Sequence, residues 1–293
     1  MAIGSRRPGV AGEWAREFSI PRAYDSYQGV IDDPEVDAVY VAAAGADHHA
    51  WVAAAAAAHI LCESLWPCRC RRRRRWSPRR KAPACSCRKP SWRHHARTRR
   101  ALEILRAGGI GELRFILAHF TFTIDVEDWR LDAAQGGGAA WDIGCYGVNA
   151  ARLFAGQEPS DIFARGRFNE RRADLSLLVA LSFPSGVYAA IDAGFEGPSR
   201  GSLELVGTGV SLFLPSAWGP PEEAQLIMQR STGRDATPEA VTFPPCNHFV
   251  EELADFAASV RAGKLLPPAE DGLANMRVLQ AALDQCRAHP TTG

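Results

Sequence analysis

The spacing of apolar residues divides the chain into two parts with different periods. In the first part, helical and strand-like runs alternate in the order 11–20 (AGEWAREFSI, helix), 25–36 (DSYQGVIDDPEV, helix), 37–43 (DAVYVAA, strand), 48–58 (HHAWVAAAAAA, helix) and 59–63 (HILCE, strand). The sequence Asp32-Asp33-Pro34 should end the second helix, because the residue before a proline is disfavoured in the helical conformation. Apolar strands that alternate with helices are typical of a parallel sheet covered on both faces.

Beyond residue 112 the period falls to two. Apolar and polar residues alternate in five runs separated by glycine, proline and serine turns: 113–123, 161–168, 174–183, 186–196 and 201–214. Such alternation predicts an antiparallel sheet with one buried face and one face open to solvent or to a partner. Helical stretches over 249–263 and 271–288 close the chain. The predicted fold class is therefore α/β followed by α+β.

Composition narrows the class of protein. The apolar content of 46% is that of a globular protein, and no apolar run reaches the 18 or so residues that a membrane span needs. The first residues lack the charged-then-apolar layout of a signal peptide, so we expect a cytoplasmic protein. Four cysteines are scattered through the chain, which is typical of reduced thiols and not of a disulfide framework: Cys62, Cys145, Cys246 and Cys286.

Positive charge is concentrated in one block. Of the 34 Lys and Arg residues, 15 lie between 65 and 101, where there is no Asp or Glu, which leaves 19 against 33 acidic residues elsewhere. The block contains the run Arg71–Arg75 and two Cys-x-Cys pairs, whereas zinc sites ordinarily use Cys-x-x-Cys spacing. No aromatic platform accompanies the arginines, so specific nucleic-acid binding is also disfavoured. Burial of so many unpaired charges is prohibitive, and we expect a solvated, largely disordered loop.

Several motifs taken together resemble one family. The order DDPEVDAVYVA, HILCE, RHHARTRRALEILRAGGIGELRFILAHFTF and GGGAAWDIGCYGVNAARLF resembles the glucose–fructose oxidoreductase/inositol dehydrogenase (Gfo/Idh/MocA) family, and within it the dihydrodiol and xylose dehydrogenase-like members. The resemblance runs from residue 2 to about 288, apart from 65–92. It implies a Rossmann domain over 1–98 and a substrate domain over 99–293, whose open, mainly antiparallel sheet forms a homodimer. It also implies hydride transfer between NAD(P) and a sugar or diol carbon.

The chain departs from the family pattern in three places. The family opens with a strand and a G-x-G-x-x-G turn that binds the pyrophosphate, whereas MAIGSR resembles the end of the second family strand. We therefore expect an incomplete Rossmann domain. The family's T-P-N-x-x-H loop is AAGADH here, ending at His48. Its C-E-K-P-L motif is Cys62-Glu63-Ser64-Leu65, without the lysine.

The block from 65 to 92 has the features of out-of-frame translation. Permitted codons for 66–70, read one base earlier, spell Leu-Ala-Leu-Ser-Val, which continues the family's C-E-K-P motif. The same shift turns 84–92 into Gly-Val-Leu-Leu-Gln-Glu-Ala-Phe-Met, close to the family's G-V-L-L-M-E-A-F-M. Two matches in one frame, flanking a length that fits the missing helix, favour a frameshift. The alternative to an active enzyme is thus an inactive, truncated or frameshifted member that keeps only its C-terminal domain fold.

The resemblance assigns the chemistry to the segment DIGCYGVNAAR. Tyr146 stands where the family has an acid/base tyrosine. A free tyrosine has a pKa of about 10, which a nearby cation lowers. In the family this cation is the lysine of C-E-K-P, and Ser64 stands at that position here. Asp142, four residues earlier, would lie on the same helical face near the substrate. An N-cap role after the glycine run is the alternative for Asp142.

Four further residues are expected near the substrate by resemblance. Arg93 and His95 match the family's R-x-H segment, for which a solvated helix start is the alternative. Trp141 belongs to the same glycine-flanked segment as Tyr146. Arg130 lies on the loop leading into the site and would anchor a hydroxyl or carboxylate, although a plain surface arginine is slightly favoured.

The cofactor contacts are expected at the ends of the first strands. Ser5 and Arg6 follow the second family strand, where an acidic residue would bind the ribose of NAD and Ser and Arg suit the 2′-phosphate of NADP. His48 and Glu63 occupy cofactor-side positions by resemblance. We therefore expect NADP or NAD, with NADP favoured, a small-molecule sugar or diol as substrate, and no metal, specific nucleic acid or membrane partner.

Overall fold

The computed structural model describes residues 1–43, 47–55, 58–62, 85–87, 91–219, 223–230, 237–263 and 269–289. The chain divides into two units, one formed by 1–88 and 256–269 and the other by 89–255 and 270–293. Among the described helices, none has the length and apolar character needed to cross a bilayer.

Short parallel strands alternate with helices in the first unit. Its elements are β1 (Ala2–Gly4), α1 (Val10–Glu17), β2 (Arg22–Tyr24), α2 (Tyr27–Asp32), β3 (Ala38–Val41), α3 (His48–Ala54), β4 (His59–Cys62) and β5 (Cys85–Cys87). β1 pairs with β2, and β3, β4 and β5 form a second parallel sheet in that order. These sheets match the two sides of a doubly wound sheet of order 3-2-1-4-5-6, and no described strand joins β1 to β3. The predicted α/β arrangement of a Rossmann-type domain is confirmed, and the absence of its first strand and glycine-rich turn stays a prediction.

The second helix ends where the Asp-Asp-Pro sequence predicts. Asp33 is its C-cap residue and has an extended conformation. The buried Asp33 carboxylate accepts hydrogen bonds from the Glu35 backbone N–H at 2.9 Å and the Tyr24 hydroxyl at 3.1 Å, and it pairs with Arg22 at 2.9 Å. These contacts hold the pKa of Asp33 below its usual value, and the hydrogen bond from the Glu35 N–H makes the largest contribution. One side chain therefore ties β2 to the turn that leads into β3.

The second unit is dominated by one large sheet. Its strands are β6 (Leu113–Thr121), β7 (Asp161–Phe168), β8 (Asp174–Ser182), β9 (Tyr188–Gly194), β10 (Arg200–Gly207), β11 (Val210–Leu214), β12 (Ala224–Arg230) and β13 (Glu239–Phe243). The helices of this part of the chain are α4 (Ala96–Arg106), α5 (Cys145–Ala155), α6 (His248–Ala262) and α7 (Ala269–Ala288), and the boundary between units falls within α6. The strand order is β13-β12-β11-β10-β6-β9-β8-β7, with every neighbouring pair antiparallel except β6 and β9. The predicted open, mainly antiparallel sheet is confirmed.

The period-two pattern separates a buried face from an open face. In β8, Leu177 and Val179 are buried, whereas Leu178 between them is 47% exposed. On neighbouring strands, Phe115 and Tyr188 stack on each other on the open face with ring centroids 6.0 Å apart. The buried face receives α5, where side chains are excluded from water over most of the helix.

Some elements carry too little local signal to be predicted. β2 has three residues, and β12 and β13 lie between turn-rich segments that the sequence pattern leaves unassigned. The run 201–214 is not one strand, because it turns at Thr208 and continues antiparallel to itself as β10 and β11. Short edge and hairpin strands depend on pairing with a neighbour and not on their own periodicity.

The expectation of an irregular loop over 65–92 is wrong where the structure describes that block. Cys85–Cys87 form β5 and pair with Ile60–Cys62. Trp92, in a 3-10 helix over Ser91–His94, is 1% exposed. An added edge strand needs only backbone N–H and C=O groups, which almost every residue carries, and a large indole ring gains much from burial. Residues 63–84 and 88–90 lie outside the described residues, and the frameshift interpretation stays a prediction.

Candidate active site

A glycine turn fixes the start of the helix that carries the predicted catalytic residues. It follows two 3-10 turns, Trp129–Leu131 and Ala133–Gln135, and leads into a π-helix over Ala140–Gly144 that continues as α5. Gly138 has a φ of 120°, and a Cβ there would lie 2.2 Å from Oδ1 of Asp174. A Cβ on Gly137 would lie 2.3 Å from the Arg130 carbonyl oxygen. Neither position tolerates a side chain, so the turn needs glycine at both positions.

Asp142 and Arg130, on either side of this turn in the chain, form an ion pair. Nε of Arg130 donates to Oδ2 of Asp142 at 2.9 Å, and Nη1 reaches both oxygens of Asp128 at 3.2 Å. The guanidinium also lies over the Trp129 ring, 4.8 Å from its centroid. Burial lowers the pKa of Arg130, but the two carboxylates outweigh it and the net pKa is raised. The guanidinium is therefore a permanent cation beside Asp142.

The N-cap alternative for Asp142 is wrong. The N-cap of the π-helix is Ala139 and that of α5 is Gly144, so Asp142 lies inside the helical segment and caps neither. Arg130 is 32% exposed in its side chain and Asp142 12%, which makes them a partly shielded ion pair. The choice between a substrate anchor and a surface arginine for Arg130 stays a prediction.

Tyr146 lies four residues after Asp142, in the first turn of α5, against an aromatic wall. Its ring makes an edge contact with Phe120 at 5.3 Å and a second one with Trp218 at 5.9 Å. Phe120 and Trp218 are stacked at 6.0 Å, and the indole N–H donates to the His119 carbonyl at 2.7 Å. The wall is rigid because β6 and the segment after β11 hold it from two sides. It leaves the phenol ring of Tyr146 little freedom to turn.

The remaining predicted substrate residues lie in different surroundings. Trp141 is 7% exposed within the π-helix. Arg93 pairs with Asp271 at 2.9 Å. His95 is 1% exposed and is the N-cap of α4, where Nδ1 accepts the Arg97 N–H at 3.1 Å. The solvated helix start considered for this segment is thus wrong for His95, while the substrate roles stay predictions.

Burial makes His95 a neutral side chain. Desolvation, followed by the charges of Arg97 and His248, lowers its pKa to about 4. Since Nδ1 accepts a hydrogen bond, the ring proton is on Nε2 in the neutral form. At near-neutral pH, His95 is therefore an uncharged N-cap of α4.

The predicted cofactor residues follow β1 and precede α3. Arg6 is exposed, forms an ion pair with Asp47 and lies over the Tyr27 ring at 5.3 Å. The Ser5 hydroxyl accepts the Arg7 N–H at 3.1 Å. Arg6 and Ser5 present a cation and a hydroxyl, a donor set that fits the 2′-phosphate of NADP.

His48 and Glu63 complete the predicted cofactor set. His48 is buried at the start of α3 and donates from Nε2 to the Ala43 carbonyl at 2.5 Å. Glu63 lies outside the described residues.

Sequence reasoning missed three contributors to the site. Phe120 and Trp218 form the wall around Tyr146, and Asp174 touches the glycine turn. Phe120 belongs to β6, where the period of two predicts only that its side chain lies on the buried face of the sheet. Asp174 had one usable signal, an acidic residue opening an apolar strand, which favours a specific polar partner over burial alone.

A parallel α/β unit together with an open-sheet unit that carries a tyrosine-bearing helix is the organisation of a nucleotide-dependent, two-domain oxidoreductase. Residues 98–213 match the GFO/IDH/MocA C-terminal domain. The chain is 30% identical to a D-xylose 1-dehydrogenase (NADP+) from Haloferax volcanii, over 96% of this chain and 87% of that one. It belongs to the Gfo/Idh/MocA family.

Two further comparisons support that membership. The chain is 29% identical to the trans-1,2-dihydrobenzene-1,2-diol dehydrogenase of Mus musculus, over 76% of this chain and 68% of the relative. Its fold is similar to a 3-ketoreductase from Actinomadura kijaniata in complex with NADP and TDP-benzene. That structure has a TM-score of 0.79 and 25% identity, and the match covers 98% of this chain and 88% of the other.

Proposed function

We propose that this protein is an NADP-dependent oxidoreductase that interconverts a hydroxyl and a carbonyl group on a sugar or diol. Residues 1–98 are the nucleotide-binding domain and residues 99–293 the substrate domain. The observation that carries the proposal is that Tyr146 follows the Arg130-paired Asp142 by four residues on one continuous helical segment within the residues that match the family's C-terminal domain.

When bound, NADP, with NAD as the less favoured cofactor, would accept or donate the hydride. Arg6 would hold the 2′-phosphate, and the Ser5 hydroxyl would lie beside it. The relatives support this choice, since one is named for NADP and the similar 3-ketoreductase contains it. Asp47 competes for the Arg6 guanidinium, so phosphate binding exchanges one anionic partner of Arg6 for another.

Each residue of the site has a separate task. Tyr146 moves the proton of the reacting hydroxyl: its phenolate takes the proton when the alcohol is oxidised, and its phenol gives the proton back to the oxygen when the carbonyl is reduced. Asp142 accepts a hydrogen bond from a neighbouring substrate hydroxyl, and Arg130 orients that carboxylate through its ion pair. Phe120 and Trp218 hold the phenol and keep water from one side of it.

The protein acts as a cytoplasmic homodimer that associates through the open face of its large sheet. That face exposes apolar side chains on adjacent strands, among them Phe115, Phe163, Leu178 and Tyr188, which are 47–52% exposed. A contiguous apolar surface of this kind is typical of a protein interface.

The first test is cofactor binding followed by turnover. Quenching of tryptophan fluorescence with NADPH and with NADH would measure both affinities, and a panel of aldoses and vicinal diols would then be assayed at 340 nm. We expect tighter binding of NADPH and turnover that depends on Tyr146. A folded protein that binds neither nucleotide would favour the inactive member that keeps only the C-terminal domain fold.

A further inference from the structure

Asp174 is a buried carboxylate that takes no direct part in the proposed chemistry. It opens β8 and is 3% exposed. Its Oδ2 accepts the Ala140 backbone N–H at 2.5 Å. Its Oδ1 lies against Gly138, so closely that a Cβ on that glycine would be 2.2 Å away. Both oxygens are thus in contact with the turn that precedes the catalytic helix.

The contact is made at the first residue of the helical segment. Ala140 is the first residue of the π-helix, and its N–H has no partner within the helix. A carboxylate placed there accepts a hydrogen bond from that N–H and also interacts favourably with the positive end of the helix dipole. The position of Ala140 in turn sets where Asp142 and Tyr146, two and six residues later, project.

The same turn links the two members of the ion pair. The Gly138 N–H donates to the Arg130 carbonyl at 2.9 Å, and the Asp142 N–H donates to the Gly138 carbonyl at 3.1 Å. A shift of Gly138 would therefore move the backbones of Arg130 and Asp142 together. Asp174 is the side chain that blocks such a shift.

The hairpin between β7 and β8 also holds the far end of this loop. Asn169 donates from Nδ2 to the Leu131 carbonyl at 2.7 Å and accepts the Ala173 N–H at 2.9 Å. The Ala133 N–H donates to the Arg171 carbonyl at 3.2 Å. The hairpin thus supports the 3-10 turns through Asn169 and the catalytic helix through Asp174.

We propose that Asp174 is a positioning residue for the reaction, because its carboxylate clamps the glycine turn and thereby sets the relative positions of Arg130, Asp142 and Tyr146. The assignment rests on the proposed oxidoreductase function.

The electrostatic surroundings make the clamp dependent on pH. Desolvation raises the pKa of Asp174 to about 6, against the lowering effects of the Ala140 and Asp174 backbone N–H groups and of Arg287. Arg287 and Cys286 face Asp174 from α7, and burial raises the pKa of the Cys286 thiol to about 11, so the thiol is neutral. Above pH 6 the clamp is an ionised carboxylate, the stronger acceptor for the Ala140 N–H. Below pH 6 it is a weaker, neutral acceptor.

The test compares Asp174→Asn with Glu170→Gln in the full chain. Glu170 lies exposed at the tip of the same hairpin and serves as the matched carboxylate-to-amide control. We expect Asp174→Asn to lower kcat by about tenfold to a hundredfold through misplacement of the reacting groups, with the KM for NADPH unchanged. The wild type and the control should both lose kcat as the pH falls through about 6, and Asp174→Asn should not. An acid limb that persists in Asp174→Asn would overturn the proposal.

Hydrogen exchange provides a readout that does not need activity. Amides of the segment 138–143 should exchange at least several-fold faster in Asp174→Asn than in the control, while amides of α7 stay unchanged. Equal exchange in the two variants would overturn the proposal even if the chain has no turnover. Tyr146→Phe separates the two hypotheses, because a fully active Tyr146→Phe refutes the proposed chemistry, whereas an inactive one beside a wild-type-like Asp174→Asn refutes only the positioning role.

Discussion

The guanidinium of Arg130 donates from Nε to Oδ2 of Asp142 over 2.9 Å, across twelve residues of chain that include the glycine turn. The pair is neither a surface salt bridge nor a fully buried one, since the two side chains are 32% and 12% exposed. Partial burial strengthens the attraction between the two charges relative to water. Arg130 and Asp142 therefore act as one unit.

That coupling leads to a prediction for a double-mutant cycle. Arg130→Met and Asp142→Asn should each lower kcat/KM. Each loss should correspond to about 1.5–3 kcal/mol of transition-state stabilisation, the range for hydrogen bonds to charged groups. The double variant should lose little more than either single variant, because each substitution already breaks the pair. Steady-state kinetics at saturating NADPH would measure all four corners. Additive losses would mean that the two residues contact the substrate independently.

Removal of the Tyr146 hydroxyl should affect chemistry and not cofactor affinity. We expect Tyr146→Phe to lower kcat by about a hundredfold to ten-thousandfold, the usual contribution of a general acid or base. The aromatic contacts with Phe120 and Trp218 are kept and Tyr146 makes no proposed contact with the cofactor, so the Kd for NADPH should not change. Tyr188→Phe on the open face is the matched control and should retain full activity.

Arg6 should decide the preference between the two nicotinamide cofactors. Arg6→Gln removes the cation at the end of β1, and we expect the affinity for NADPH to fall by about tenfold to a hundredfold, the cost of a charge-assisted hydrogen bond. The affinity for NADH should stay within about twofold. Arg7→Gln changes the neighbouring exposed arginine and should leave both affinities unaltered. Equal losses for NADPH and NADH in Arg6→Gln would point to general electrostatic attraction.

The open face of the sheet should control the oligomeric state. Phe115→Glu places a charge beside Tyr188, and burial of an unpaired charge in an interface is strongly unfavourable. We expect the molar mass from light scattering to fall from that of a dimer to that of a monomer. Val126→Glu, at a site that is 76% exposed on a loop, is the control and should leave the dimer intact. A monomeric wild type would refute the proposed dimer directly.

Asp174 should make stability fall as the pH rises, opposite to the behaviour of an ordinary paired carboxylate. Its folded pKa of about 6 lies above the usual 3.8, so its contribution is fully present below pH 3.8 and is lost as the pH rises through about 6. The shift corresponds to roughly 3 kcal/mol. From pH 4 to pH 7, the free energy of unfolding of the wild type should therefore fall, relative to that of Asp174→Asn, by up to that amount. Urea titrations at several pH values measure the difference.

The comparison with Asp174→Asn also removes the effect of His95. His95 acts in the opposite direction, because its lowered pKa stabilises the fold above pH 6.5 and that contribution is lost toward about pH 4. It is present in both proteins and cancels in the difference. A variant that is more stable yet slower at neutral pH would separate a positioning role from a purely structural one.

Much of the fold follows from local pattern. The period of the apolar residues located α1, α2, β3 and β4 and most strands of the large sheet, and the Asp-Asp-Pro sequence located the end of α2, because these signals act within a few residues. β5 was not predictable in this way. It is defined by its parallel backbone pairing with β4, which the local sequence pattern of an arginine-rich block does not indicate.

Motif and apolar period were enough to identify the family and the fold class and to select Tyr146 as the candidate acid/base residue, because both signals are local. The groups that surround that tyrosine follow from the tertiary structure. Asp174 meets Ala140 across 34 residues, and Trp218 meets Phe120 across almost a hundred, because strand pairing and helix packing bring them together. Burial and the partners of a charge depend on such distant neighbours, so the raised pKa of Asp174 and the capping role of His95 belong to the fold and not to any motif.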